Sequence, residues 1–266
     1  MAEEPEKKGG KVGVRVATYN IHQGIGRDRR RDPPRIASVI RNLGAGIIAL
    51  QEVDTRQGSL PWVHEIDYLA EASGYTTVAG PTHTRFDYHF GNILLSAYPV
   101  DGIHHVDLSV YRREPRGALD VELRVHGEPL RVIATHLGLW PYERVRQVRW
   151  LLEHLGGGPT GPTVLLGDIN EWFPWARSVR MLSRVFGRAP APAGFPSAFP
   201  FLALDRIWAF PREGLEAVRP WRSPLARVAS DHLPVTAHFS FPRAEAIPAD
   251  RRRRPAPALR GQAVQR

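Results

Sequence analysis

Apolar residues in this chain arrive in short runs, and run after run ends in an acid, an amide or an imidazole instead of ordinary turn residues. Short apolar runs, alternating or unbroken, are the signal of strands, so a chain written this way has to build sheets. Val12, Val14 and Val16 alternate with Gly13 and Arg15, which predicts a strand over residues 12–21 that ends beside Asn20 and His22. Residues 46–50 are apolar without a break and too short for a helix, which predicts a strand covered on both faces with Gln51 and Glu52 at its carboxyl end. Further strands are expected at 75–79, 92–97, 102–108, 118–125, 130–136, 163–166, 206–209 and 235–241, with a hairpin about His126-Gly127.

Three helices are expected between these runs. Asp32 stands before Pro33, the apolar residues Ile36, Val39, Ile40 and Leu43 follow at helical spacing, and Gly44 closes the segment, which is the signature of a capped amphipathic helix. Residues 142–155 place Val145, Val148, Leu152 and Leu155 on one face ahead of three glycines, and 175–186 form the third helix. A Pro/Ala/Gly-rich loop is expected over 189–200. Nothing repeats at a fixed period and no internal linker is visible, so residues 12–241 read as one domain, with 1–11 and 242–266 as disordered tails. Two stacked sheets flanked by helices would use this many strands.

Composition removes several chemistries. Cysteine is absent, which excludes disulfides, thiolate zinc sites, cysteine nucleophiles and iron-sulfur clusters. Of the 36 basic Lys and Arg residues only Lys7, Lys8 and Lys11 are lysine, so a P-loop or Schiff-base lysine has no candidate in the body of the chain. The net charge of +9 is unevenly spread: the tail from 242 onward carries seven Arg against Glu245 and Asp250, which leaves the body at only +4. That tail, with Arg251 to Arg254 in a row, suits weak peripheral contact with a polyanion such as an anionic lipid surface. No apolar run approaches membrane-spanning length and the charged first ten residues do not resemble a signal peptide, so a cytoplasmic protein is expected, with the inner membrane face as a place of peripheral contact.

Asn20 and His22, Glu52, His136, Asp168 and Asn170, Asp205, and Asp231 and His232 all close or follow apolar runs. Strand ends that share a direction converge on one rim of a sheet, so these groups are candidates for a single cluster. Taken one at a time each has an ordinary account: Asp168 and Asn170 as turn residues, Glu52 as the first solvated position, His136 as a hydrogen-bonded core histidine, Asp231-His232 as a strand-entry turn. Brought together, the carboxylates of Glu52, Asp168, Asp205 and Asp231 need a cation or a proton between them. A site built mainly from oxygen ligands points to magnesium, with manganese as its substitute.

The ordered set Thr18-Tyr19-Asn20-Ile21-His22, Leu50-Gln51-Glu52-Val53-Asp54, Gly91-Asn92-Ile93, Arg116-Gly117-Ala118, Thr135-His136-Leu137, Gly167-Asp168-Ile169-Asn170, Leu204-Asp205-Arg206 and Ser230-Asp231-His232-Leu233-Pro234 resembles the endonuclease/exonuclease/phosphatase superfamily, the deoxyribonuclease-I-like fold. The resemblance implies a four-layer α/β/β/α sandwich of two mixed, mainly antiparallel sheets, with metal-dependent phosphoester hydrolysis at one edge. It implies Glu52 as principal metal ligand beside Asn20, with Asp231 as a further or water-mediated one. Asp168 and Asn170 take the part of positioning and activating water, His232 contacts a phosphate oxygen with Asp205 orienting it, and His136, Asn92 and Arg116 supply further donors. Some nucleases of the superfamily carry an aspartate where this chain has His22, which puts a two-metal mechanism in doubt and leaves His22 as a phosphate contact.

Substrate is less constrained. The modest body charge favours a small or lipid-linked phosphodiester or phosphomonoester over extended duplex DNA, with a deoxyribonuclease or repair-type endonuclease as the alternative and a silent binding module as the least favoured. Residues 80–90 stand between two expected strands as a candidate substrate loop. Trp140, Tyr142, Trp172 and Trp175 follow His136 and Asn170 closely enough to line a rim, and residues 24–31 form a basic loop after the first motif.

Overall fold

The computed structural model describes residues 10–54, 69, 71, 72, 74–85 and 88–243. In chain order its elements are β1 (Lys11–Asn20), α1 (Pro33–Leu43), β2 (Ile47–Asp54), β3 (Thr76–Arg85), β4 (Tyr88–Ser96), β5 (Val100–Asp107), β6 (Gly117–Val125), β7 (Glu128–His136), α2 (Pro141–His154), β8 (Thr163–Asp168), α3 (Arg177–Phe186), β9 (Asp205–Phe210), β10 (Leu215–Pro220), α4 (Pro224–Ala229) and β11 (Val235–Pro242). One sheet has six strands in the order β10-β11-β1-β2-β4-β3 and the other five in the order β5-β6-β7-β8-β9. Among the described residues β1–β2 and β7–β8 pair in parallel and the other ladders are antiparallel.

Strand periodicity builds the layers. Val12, Val14 and Val16 of β1 face the same interior as Leu130, Val132 and Ala134 of β7, Val164 and Leu166 of β8 and Phe239 and Phe241 of β11, which is the core between the sheets. The opposite faces are covered by helices. Ala17, Tyr19, Ile48 and Leu50 pack with Ile36, Ile40 and Leu43 of α1 and with Ala226 and Ala229 of α4. On the other side Ile133, Leu165 and Trp208 pack with Val148 and Leu151 of α2 and Leu182 and Phe186 of α3. The result is a four-layer α/β/β/α sandwich.

The α1 caps form as the sequence demands: the Asp32 side chain accepts from Arg35 N at 2.9 Å, Pro33 opens the helix and Gly44 ends it in the left-handed region at φ 54°. Helix α3 begins at Arg177, two residues later than the sequence predicts. Lys11 pairs with Pro242 at the outer end of the β1–β11 ladder. Residues 1–9 and 244–266, nearly all of the expected tails, lie outside the described residues.

Residues 80–90 are corrected from a loop to a hairpin: β3 runs on to Arg85 and β4 begins at Tyr88, with a register shift between Pro81 and His83. Main-chain pairing continues past Pro81 because a bulge accommodates a residue without an N–H. Strand β10 and helix α4 had no clear sequence signal. Among the described residues, no helix is long and apolar enough to cross a membrane.

Candidate active site

Each strand that contributes to the site does so by continuing its own inward-facing row. In β1 the row Val12, Val14, Val16 runs on through Thr18 to Asn20, and in β7 the row Leu130, Val132, Ala134 ends at His136. Val164 and Leu166 lead to Asp168, Ile207 and Ala209 follow from Asp205, and Leu94 leads back to Asn92. The register places three of these side by side, His136 opposite Asp168 and Asp168 opposite Asp205. Polar side chains thus terminate the intersheet core at one rim.

Glu52 reaches this rim by a different device. Leu50 and Val53 both face the α1 side, so the extra residue between them is a bulge, seen as a register shift against β4 and as φ 57° at Glu52. Without it Glu52 would lie on the helix-covered face with Ile48 and Leu50. Asn170 is also held in the left-handed region, at φ 53°, with its N–H donating to Asp168 Oδ1 at 2.8 Å. With His22 at φ 48°, three non-glycine residues of one cleft hold this conformation, the kind of local strain that functional sites retain.

The side chains form one connected network. Asn20 Nδ2 donates to Glu52 Oε1 and to Asp168 Oδ2, each at 3.0 Å, while its Oδ1 accepts from the His22 amide. Beyond Asp168, His136 Nε2 stands 3.6 Å and His232 Nε2 3.9 Å from the same Oδ2. Asp205 Oδ2 holds His232 Nδ1 at 2.7 Å, and the Phe195 ring packs on the imidazole at 4.6 Å between centroids. His136 lies between Arg116 Nη1, 3.3 Å from Nδ1, and Asn170 Nδ2, 3.0 Å from Nε2. A neutral ring has one acceptor nitrogen, so only one of these two contacts is a hydrogen bond at a time. Asn92 Nδ2 donates to Gly117 O at 3.0 Å, beside Arg116 but not in contact with the acids. Asp231 sits outward, half-exposed, 3.9 Å from His22 Nδ1.

Electrostatics divide the site into two halves. Burial raises the Glu52 carboxyl pKa, and the Asp168 charge raises it further against the Asn20 hydrogen bond. Burial likewise raises that of Asp168, with the Asp205 charge adding to it. Burial, then Arg116 and His232, hold His136 well below an ordinary imidazole, so it is neutral. Burial also opposes charge on His232, but the Asp205 charge and hydrogen bond, followed by Asp168 and Asp231, outweigh it and push the ring up to about 10. His232 is therefore an imidazolium clamped by Asp205.

This division decides where a cation fits. Asp168, Asp205 and His232 come close enough together to share an ion. His232 Nδ1 is committed to Asp205 and its ring is cationic, so within this trio the imidazolium cancels the Asp205 charge and the charge of Asp168 remains. Glu52 and Asp168 have no such internal counter-charge: a partly buried and a fully buried carboxylate, both of raised pKa, with one amide donor between them and charge left over. Hard oxygen donors with uncompensated negative charge suit a divalent cation such as magnesium or manganese.

The family model described as the Endonuclease/Exonuclease/phosphatase family matches residues 17–232, from the end of β1 to His232, and so contains every group in this network. The chain belongs to the endonuclease/exonuclease/phosphatase family. It is 33% identical over 247 residues to the uncharacterized protein YbhP of Escherichia coli (strain K12), covering 85% of this chain and 95% of that protein. An endonuclease/exonuclease/phosphatase structure from Beutenbergia cavernae DSM 12333 superposes with a TM-score of 0.69 at 28% identity, covering 86% of this chain and 71% of that one. The mannosyl-6-phosphatase Bt3783 of Bacteroides thetaiotaomicron VPI-5482 shares the fold, with a TM-score of 0.62 at 18% identity over 84% of this chain and 98% of that one. Members of the endonuclease/exonuclease/phosphatase family act on phosphoester bonds.

Several supporting residues escape a reading of the sequence. Ser230 Oγ donates to Asn20 O at 2.8 Å and accepts from His232 N at 3.2 Å, tying the first motif to the last. Glu114 pairs with Arg116 at 2.9 Å and fixes its fork. Ser230 adjoins a motif and was visible as such; Glu114 and Phe195 are ordinary loop residues with no signal of their own. In the basic loop at 24–31 Arg31 turns inward and donates to Gln23 O and Asp54 O, while Arg27, Arg29 and Arg30 are exposed and Asp28 pairs with Arg35 of α1 at 2.7 Å.

Proposed function

We propose that this protein is a divalent-metal-dependent phosphoesterase that hydrolyses a small or lipid-linked phosphodiester or phosphomonoester by in-line attack of water. The observation that carries the reading is the pairing around Asp168: a carboxylate with excess negative charge toward Glu52 on one side and the Asp205-held imidazolium of His232 on the other. Glu52, with Asn20 beside it and Asp231 at the rim, would hold magnesium or manganese, which when bound would polarise a phosphoryl oxygen and offset its charge.

Asp168 orients the attacking water and accepts its proton, a role that suits a carboxylate whose basicity has been raised by burial. His232 donates from Nε2 to a phosphoryl oxygen, and Asp205 keeps Nδ1 protonated and the ring in register. Asn170 holds Asp168 Oδ1 through its backbone N–H, while Arg116, His136, Asn92 and His22 line the approach as donors to substrate oxygens. Removing one such donor costs roughly 10²–10³ in turnover.

The body charge of +4 outside the tails supports a compact substrate over duplex DNA, and a fold relative that is a mannosyl-6-phosphatase supports a small phosphate ester. The test is a panel of glycerophospholipids, inositol phosphates, bis-para-nitrophenyl phosphate, and nicked, abasic and intact DNA, each with magnesium, manganese or chelator. Asp168→Ala and His232→Ala should both abolish hydrolysis of whichever ester is cleaved. Full activity in either variant refutes the mechanism, and strong salt-dependent DNA cleavage refutes the substrate class.

A further inference from the structure

The loops at the catalytic rim of the five-stranded sheet carry a concentration of exposed apolar side chains. Among the described residues, nine of the twelve large hydrophobics that stand exposed lie on the segments joining β5 to β6, β7 to α2, β8 to α3 and α3 to β9, or in the first turn of α2. These segments leave one rim, because Asp107 pairs with Gly117, His136 with Asp168, and Asp168 with Asp205. Leu139 and Trp140 project from the second, Trp172 and Trp175 from the third at 58% and 68% exposure, and Phe199 and Phe201 from the fourth at 83% and 70%. Surface this apolar normally has a partner.

Three observations together identify the partner. The exposed side chains stand on four separate loops, which suits shallow entry into a soft medium. Exposed carboxylates are missing from the second, third and fourth loops: their only acids, Glu143 and Glu171, are buried, the latter against Arg144 and Ser178. Cations instead sit at the edge, where Arg113 lies over the Trp140 ring at 4.9 Å and the Tyr142 ring at 5.4 Å, with Arg112 beside it. Phe199 and Phe201 stand in a segment with no charged residue of its own between Gly194 and Ala203, and the guanidinium bonded to it, that of Arg227, is engaged with the Ser197 and Ala198 carbonyls, whereas base-stacking surfaces set a cation near the ring to meet phosphate. Exposed Phe, Leu, Trp and Tyr with arginines at their edge match the side-chain composition of a bilayer interface.

We propose that this aromatic rim docks on an anionic lipid bilayer and so brings the cleft of Asp168 and His232 to the headgroup layer. The inference deepens the phosphoesterase reading and rests on it for the substrate, but its readout is lipid binding and not turnover. Full-length protein is mixed with phosphatidylcholine vesicles with and without phosphatidylglycerol, and binding is followed by co-sedimentation and by quenching of tryptophan emission with brominated acyl chains. The protein should bind the anionic vesicles with quenching. The pairs Phe199→Ser/Phe201→Ser and Trp172→Ala/Trp175→Ala should each weaken binding about tenfold or more.

The same variants should keep their thermal midpoints and their hydrolysis of soluble bis-para-nitrophenyl phosphate, while a full-length Arg251→Ser/Arg252→Ser/Arg253→Ser/Arg254→Ser variant should still bind. Vesicle binding that requires Phe199 and Phe201 in a protein that cleaves no ester would uphold the docking and overturn the phosphoesterase reading. The docking itself is overturned if the full chain does not bind vesicles, if binding vanishes only with the tail arginines, or if the aromatic pairs are needed for a single-stranded oligonucleotide and not for lipid.

Discussion

Replacing Asp205 with asparagine tests the electrostatic design of the cleft most directly. His232 is only 5% exposed, and burial by itself would keep its ring neutral at pH 7. Its rise from 6.5 to about 10 corresponds to about 5 kcal/mol of preference for the charged ring, at ~1.4 kcal/mol for each tenfold step. Asp205 supplies the largest favourable share, as a charge and through its 2.7 Å hydrogen bond, with Asp168 and Asp231 adding the rest.

Since the folded ring holds its proton more tightly than the unfolded one, this stabilisation is complete below about pH 6.5 and is lost as pH climbs through about 10. In Asp205→Asn the His232 pKa should drop by roughly 1–3, the high-pH decline in stability should begin earlier, and turnover should fall roughly 10²–10³-fold. Histidine-selective NMR titration of the chelator-treated protein reads the first effect, with His232→Gln to assign the resonance. Urea melts across the pH range read the second. A His232 that titrates near 6.5 in the parent protein, or one that Asp205→Asn leaves unmoved, would show that the reasoning is wrong.

Three further perturbations probe other parts of the molecule. Glu52→Gln removes one of two neighbouring carboxylates of raised pKa, so it should raise the melting temperature of the chelator-treated protein and abolish the increase caused by magnesium or manganese; scanning calorimetry showing a lower metal-free midpoint with the metal effect intact would contradict this. Asp120 is only 1% exposed and accepts from Arg131 Nε at 2.8 Å and pairs with His154 at 2.6 Å, far from the cleft, so Asp120→Asn should cost roughly 2–3 kcal/mol in chemical denaturation at neutral pH. Burial works against the Asp120 charge, yet Arg131 and His154 outweigh it and lower the pKa; the stabilisation is therefore present above 3.8 and lost as pH falls through the folded value, a dependence the variant should lack. Gly167→Ala would set a Cβ 1.8 Å from Thr135 O on the neighbouring strand, at a φ of 154°, so it should cost roughly 3 kcal/mol or more and take activity with it by displacing Asp168; an unaltered melt would mean that β7 and β8 are not packed this closely.

Much of this protein was legible in the chain because the relevant rules are local. Alternation in β1, β7 and β8 identifies the inward rows, and the same period, carried one step further, says that Asn20, His136 and Asp168 face the interior they close. The α1 caps are written in Asp32, Pro33 and Gly44. Strand β10 could not be read, since an edge strand with Glu216 and Arg219 exposed has no buried face to impose a pattern; its pairing with β11 makes it a strand. The turn of Glu52 into the cleft is likewise invisible locally, because a bulge is defined by the partner strand and not by the residues that form it. Asn20 meets Asp168 across 148 positions and His232 meets Asp205 across 27, and no period in the chain encodes those distances. The sequence by itself determined which side chains stand at strand ends and, where a regular strand carries them as at Asn20, His136 and Asp168, which way they face. Tertiary structure decided which acid is left needing a cation and which is satisfied by an imidazolium, because charge balance in a buried cluster depends on who the neighbours are and how much water is gone.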